Sequence, residues 1–94
     1  MQDENFIHDE KAQQFRFKLD GEIAFVDYSV RDGKLYLVHS EVPVALRGHG
    51  AGKLLVERTF EYLEAHQLPA VAVCSYIKAV ARRSPKWRER IGGL

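Results

Sequence analysis

One cysteine, one methionine, one tryptophan and three prolines among 94 residues leave several architectures out of reach. The lone Cys74 closes no disulfide within the chain and builds no two-cysteine metal site. No apolar run is long enough to span a bilayer, and the acidic opening from Met1 to Glu4 is unlike a secretory or transit peptide. The charges nearly cancel, with 14 Lys and Arg against 13 Asp and Glu, so no net field draws in a polyanion. Basic residues gather only late, at Arg82, Arg83, Lys86, Arg88 and Arg90. Without a stacking motif beside them they read as a solvated segment, not as a nucleic-acid surface. No repeat or linker is visible. The length suits one domain with a modest core, expected to be cytoplasmic, a monomer or weak dimer, with neither nucleic acid nor membrane as partner.

Against those absences stand two Asp-Gly pairs and a dense cluster of glycines. Phe15 to Leu19 alternates apolar with basic residues, the pattern of a strand with one wet face. Asp20-Gly21 follows, then Ile23 to Val30 is rich in β-formers. Asp32-Gly33 precedes a third strand pattern, Lys34 to Val42. Asp-Gly between such runs signals tight hairpins, so an antiparallel meander of three strands is expected. Asn5 to His8 carries a faint signal for one more.

The period then changes. From Gly50, helical spacing gathers Ala51, Gly52, Leu55, Val56, Thr59, Phe60, Tyr62 and Leu63 on one half of the circumference, with Lys53, Glu57, Glu61 and Glu64 opposite. So wide an apolar face suits a helix lying on a sheet. Gln67-Leu68-Pro69 ends it, and Ala70 to Cys74 reads as a short buried strand. Strand, glycine loop, helix, strand makes a crossover, and crossovers are normally parallel and right-handed. A second and last helix is expected from Tyr76 to Arg83, stopped by Ser84-Pro85. The fold class is therefore α/β, a mixed and mainly antiparallel sheet with two helices.

Leu46-Arg47-Gly48-His49-Gly50-Ala51-Gly52-Lys53 joins the third strand to the long helix. Three glycines in five positions let several backbone amides converge on one anion, and the helix start adds partial positive charge. Such a bend favours phosphate or pyrophosphate. It lacks the Gly-Lys-Ser/Thr of a P-loop, which speaks against nucleotide hydrolysis.

Arg47-x-x-Gly50-x-Gly52 after a strand and at a helix start resembles the acetyl-CoA signature of the GCN5-related N-acetyltransferases. His39-Ser40-Glu41-Val42-Pro43, the glycine loop, and Cys74-Ser75-Tyr76, in that order, look like the small YjdJ-type subfamily, which lacks the N-terminal helices of full-size members. The likeness runs from about Phe15 to Trp87. It departs at Ser84-Pro85-Lys86-Trp87, where that subfamily often carries His-Pro followed by an acidic residue and an aromatic. The resemblance implies one minimal acetyltransferase-like domain over residues 1–94. It also implies acetyl-CoA as cofactor, an amine acceptor, and transfer of the acetyl group between them. A non-catalytic CoA- or acyl-CoA-binding module is the alternative.

By the same resemblance the CoA pyrophosphate would sit on the amides from Gly48 to Lys53, counting His49, Gly50, Ala51 and Gly52, with Arg47 and Lys53 as countercharge. Arg82 and Arg83 are candidates for the adenosine 3′-phosphate. Val42 and Val44 flank Pro43, which cannot donate a ladder hydrogen bond. There the sheet either splays to admit the amide-rich pantetheine arm or simply ends. A backbone amide near Val42 is the candidate oxyanion donor. His39 and Glu41, two apart on a strand, share a face. They are either a base for the attacking amine or surface polar groups. Cys74 is either a nucleophile, with His39 and a helix N-terminus lowering its pKa, or a small buried hydrophobe. Direct transfer is the favoured route. Tyr76 is either the acid for the departing thiolate or core packing. His8 and His66 are expected on the surface, and Trp87 is expected to anchor the C-terminus.

Overall fold

Alternation decides which face each strand buries. The computed structural model describes residues 5–48 and 50–94. The chain runs through β1 (Phe6–Asp9), β2 (Gln14–Leu19), β3 (Glu22–Arg31), β4 (Lys34–Glu41), a 3-10 turn (Val44–Leu46), α1 (Ala51–Ala65), β5 (Ala70–Ala72), α2 (Ser75–Arg83) and α3 (Pro85–Arg90). The strands form one sheet in chain order. The first four are antiparallel neighbours, and β5 lies parallel to β4. Both Asp-Gly turns have positive φ at their two central residues, the backbone twist that a two-residue hairpin requires.

One face of the sheet carries the core. Phe15 and Phe17 of β2, Ala24, Val26 and Tyr28 of β3, and Leu35 and Leu37 of β4 meet Leu55, Val56, Phe60 and Leu63 of α1. The buried side of α1 follows the apolar stripe of its sequence, Thr59 included, whose hydroxyl donates to the Leu55 carbonyl. Ile77, Val80 and Ala81 of α2 close the same cluster.

The expectation of two helices is corrected by a third. Ser84-Pro85 ends α2 and also begins α3: the Ser84 hydroxyl accepts from the Trp87 N–H, and Pro85 occupies the first turn, where its missing N–H costs nothing. Trp87 is buried and packs 5.4 Å from the Phe60 ring, so it anchors this end as expected. The strand read as ending at Cys74 stops at Ala72. Beyond α3, Gly92 forms a parallel bridge with Val71 on the outer edge of β5. The faint N-terminal signal becomes edge strand β1, paired with β2.

One histidine, His8, departs from the surface expectation, and the other, His66, meets it. His8 is half-buried, with Nε2 2.6 Å from the Tyr28 hydroxyl and Nδ1 3.0 Å from that of Tyr62. Its ring stacks on Phe15 at 4.3 Å. His66 is exposed but stacks on the Tyr62 ring at 3.9 Å. Sequence offers no cue to contacts that join residues so far apart.

Candidate active site

The site begins with a bulge. Tyr28 pairs with Leu37 and Asp27 with His39, which leaves Val38 without a partner in the ladder. One extra residue shifts the alternation. Leu37 points into the core, and Val38 and His39 then both turn to the other face. Ser40, opposite buried Val26, comes back to the helix side. His39 and Glu41 do share a face, as their spacing implies, but it is the face away from the helices. His39 lies 6.2 Å from the Phe25 ring there.

The second feature is a gap. Only Leu35 to Leu37 of β4 pairs with β5. The Leu37 carbonyl then accepts from both Val73 and Cys74 N–H groups, and the two chains part. His39, Ser40 and Glu41 have β3 on one side and, among the described residues, no strand on the other. Pro43 starts the 3-10 turn directly after β4, so the strand both ends and diverges.

The start of α1 faces that gap. Gly50 is the residue before the helix, at φ +74°, and Gly48 stands at φ +86°. Neither has any atom within 4 Å of where a Cβ would sit. Gly50 offers no side chain to cap the helix, so the N–H groups of Ala51, Gly52 and Lys53 lack intrahelical acceptors. The first turn contains no carboxylate but does contain Lys53, the wrong sign for the helix dipole unless an anion sits beside it. A cavity of 360 Å³ opens over this bend, lined by Arg47, Gly48, Gly50, Ala51 and Gly52 with Ser40, Val42, Leu46 and Tyr76. Uncapped helix amides, open glycines and basic side chains beside a cleft are a combination that can accept an anion.

Seven of the fifteen residues expected from sequence line this cavity: Val42, Arg47, Gly48, Gly50, Ala51, Gly52 and Tyr76. Arg47 donates from Nε to the Val42 carbonyl at 3.1 Å, which fixes it over the bend. Val44 is not among the residues that line this cavity: it is 75% exposed in the 3-10 turn, while Leu46 is buried. Lys53 and Arg83 line a neighbouring 150 Å³ cavity with Tyr76 and Glu57; Arg82 is exposed outside it. His49 lies outside the described residues.

Cys74 occupies the cap position of α2. Its Sγ is 3.4 Å from Ser40 Oγ. Burial pushes the thiol's pKa up, but the Ser40 hydroxyl and the N–H groups of Ile77, Tyr76 and Ser40 outweigh it, and the net direction is down. The imidazole expected beside this thiol is absent, because the bulge sends His39 to the opposite face; Ser40 takes its place. Ser40 and Leu46 are the lining residues that sequence reasoning missed. Ser40 sits inside the quoted His-Ser-Glu motif, but alternation without the bulge would have pointed it away. Tyr76 is 43% exposed. A Cβ at Gly52 would lie 2.9 Å from its hydroxyl and 3.2 Å from Val42, so that glycine allows α1 and α2 to meet at the cavity.

Comparison with known proteins agrees with this geometry. The family model described as GCN5-related N-acetyl-transferase matches residues 14–90. The chain is 32% identical over 82 residues to Protein NATD1 of Xenopus tropicalis, covering 83% of this chain and 74% of that one. It is 31% identical over 81 residues to Protein NATD1 of Homo sapiens, covering 83% and 72%. The match takes in every strand from β2 onward and all three helices, and on that ground the chain belongs to the GCN5-related N-acetyltransferase family.

Proposed function

We propose that this protein moves an acetyl group from acetyl-CoA to an amine. The observation that carries the reading is the uncapped, glycine-led start of α1 placed against the gap between β4 and β5. The residues present suit CoA. Two glycines with open space at their Cβ positions leave room for a diphosphate, and Arg47 and Lys53 add countercharge. The free flank of β4 from His39 to Glu41 suits an extended amide chain, which binds by pairing as a further strand. Lys53 and Arg83 beside one cavity suit a further phosphate. Bound acetyl-CoA would supply an activated acetyl carbon on a thiol leaving group.

The two faces of the sheet divide the remaining work. On the open face, Glu41 or His39 takes the proton from an incoming amine, which has no lone pair to attack with while protonated. On the helix side, Tyr76 offers its hydroxyl proton to the departing sulfur. A backbone N–H near Val42 steadies charge on the carbonyl oxygen. Base and acid thus stand on opposite sides of the gap, an arrangement suited to direct transfer. The lowered pKa of Cys74 favours a second route, in which its thiolate accepts the acetyl group and passes it on.

Calorimetry with CoA tests the foundation: binding with a rise in thermal midpoint is expected, and no heat at millimolar CoA would end the assignment. Acetyl-CoA consumption with a panel of amines tests the chemistry. Glu41→Gln or His39→Ala should lower turnover about 100-fold, the usual range for a general base, with CoA binding retained. Cys74→Ser should turn over at a near-normal rate; loss of activity with intact CoA binding would select the covalent route. CoA binding without turnover on any amine would instead identify a CoA-binding module.

A further inference from the structure

We infer that the hollow between the C-terminal half of α1 and α3 is a second binding site, which takes a small amphiphilic carboxylate; it stands independently of the transfer reading above. The hollow comes from the way α1 ends. The Leu68 N–H donates to the Leu63 carbonyl at 2.8 Å, which folds the link to β5 back onto the helix. Trp87 reaches over from α3 to Phe60, with ring centroids 5.4 Å apart. The two walls do not close. A cavity of 320 Å³ remains, with Phe60, Leu63, Leu68, Trp87 and Ile91 as its apolar lining. That is the small end of ligand cavities, suited to a short alkyl chain or a single ring. Phe60 lies about 14 Å along α1 from the glycine bend, so the two sites do not overlap.

Charge at the mouth selects an anion. Glu64 is the only carboxylate among the described residues that line the cavity. Its Oε1 takes Lys86 Nζ at 3.0 Å and its Oε2 takes Arg90, so one negative charge meets two positive ones. Arg90 makes that contact through Nη1, and a guanidinium has donors to spare for a second carboxylate. Of the other acids close by, Glu61 is paired with Arg58 at 3.2 Å, and Glu89 is offset by its neighbour Arg88 on α3.

The end of α1 does not cancel the surplus. Its Tyr62, Leu63 and Glu64 carbonyls already accept from the N–H groups of His66, Leu68 and Gln67. A cationic ligand would compete for an occupied surface, because Lys86 Nζ stands 4.5 Å from the centroid of the Trp87 ring. An apolar body under Trp87 with its carboxylate on Arg90 satisfies both features of the hollow.

Trp87 is the only tryptophan in the chain, so its emission reports this cavity alone. Titration of the whole chain with sodium octanoate, below its micelle concentration, should change that emission saturably, with a midpoint of about 1 mM. In isotope-edited NMR the shifts should fall on Phe60 to Leu68 and on Trp87 to Ile91. Lys86→Gln with Arg90→Gln leaves Glu64 unpaired and turns the surplus negative. Octanoate affinity should then fall about tenfold, and octylamine should become the better ligand. Where that double variant does not fold, added salt reads the same contact in the parent, weakening octanoate and leaving 1-octanol unaffected. Octanol or octylamine binding the parent as tightly as octanoate would overturn the inference. So would shifts confined to Gly50 to Lys53, an unchanged ligand order in the folded double variant, or no saturable change at ten times the expected midpoint.

Discussion

At the scale of single residues, Gly52 separates packing from chemistry. Inside a helix, replacing glycine with alanine ordinarily stabilises by about 0.5–1 kcal/mol, because the unfolded chain loses freedom. Here the added methyl would meet the Tyr76 hydroxyl at 2.9 Å and Val42 at 3.2 Å. The hydroxyl is the far end of a half-exposed side chain and can swing aside, so the fold absorbs the change. The consequence falls on the cavity that Tyr76 lines, where its hydroxyl is the acid of the proposed transfer. Gly52→Ala should therefore keep its thermal midpoint within a few degrees of the parent while acetyl transfer falls about 100-fold, the low end of what one positioned proton donor supplies. Parallel melting curves and turnover assays check this. A variant that is fully active would remove Tyr76 from the chemistry.

At the scale of elements, β1 is an edge strand whose attachment involves two titratable side chains, His8 and Asp9. His8 bridges Tyr28 of β3 and Tyr62 of α1, and its pKa lies below the ordinary 6.5, with burial as the leading cause. A base with a lowered folded pKa is protonated first in the unfolded chain, so folding is favoured fully only above about 6.5. Stability should fall as pH drops from there through the folded pKa, then level off with respect to this group. Urea midpoints between pH 8 and 5 should show that slope in the parent and a flatter profile in His8→Phe, and β1 amides should lose exchange protection over the same interval. Asp9 acts in a lower window. The Ala12 N–H, then Arg16, hold its carboxyl below the usual 3.8, so its contribution is present above that value and disappears only as pH falls through the folded pKa.

What sequence could foretell at this scale was local. The Asp-Gly hairpins, the alternation of β2 and the stripe of α1 each depend on neighbours a few positions apart, so pattern alone reveals them. The glycine bend was legible for the same reason, as were Arg47, Val42 and Tyr76 around it. Nothing in Leu37-Val38-His39 marks a bulge, so the face assigned to Ser40 and the pairing of His39 with Cys74 could not be read correctly. Ser84-Pro85 is equally good as a stop or a start, which hid α3. The His8 contacts join residues 20 and 54 positions apart and leave no periodic trace.

At the scale of the whole molecule, the gap at one end of β5 depends on what holds that strand elsewhere. β5 is three residues long, paired with β4 through its full length and bridged on its outer edge by Gly92. Its side chains add only Ala70 and Ala72 to the core, too little apolar area to fix a strand that parts from its neighbour. The anchoring comes from α3 and the residues after it. Trp87 packs against Phe60, Ile91 is buried beside it, and Glu64 of α1 takes both Lys86 and Arg90. Those ion pairs are exposed and worth little; the tryptophan carries the attachment. Trp87→Ala should cost about 3–5 kcal/mol, the range for emptying a large buried aromatic site. With one continuous core, unfolding should remain a single cooperative transition. Amides of β5 and Gly92 should gain exchange fastest in the variant, and affinity for CoA should fall although no cavity residue has changed. Fluorescence-independent denaturation followed by circular dichroism, with hydrogen exchange on the same samples, measures both. Unchanged β5 protection alongside the full stability loss would mean that the strand is held by its ladder to β4 and that the gap needs no support from the distant helix.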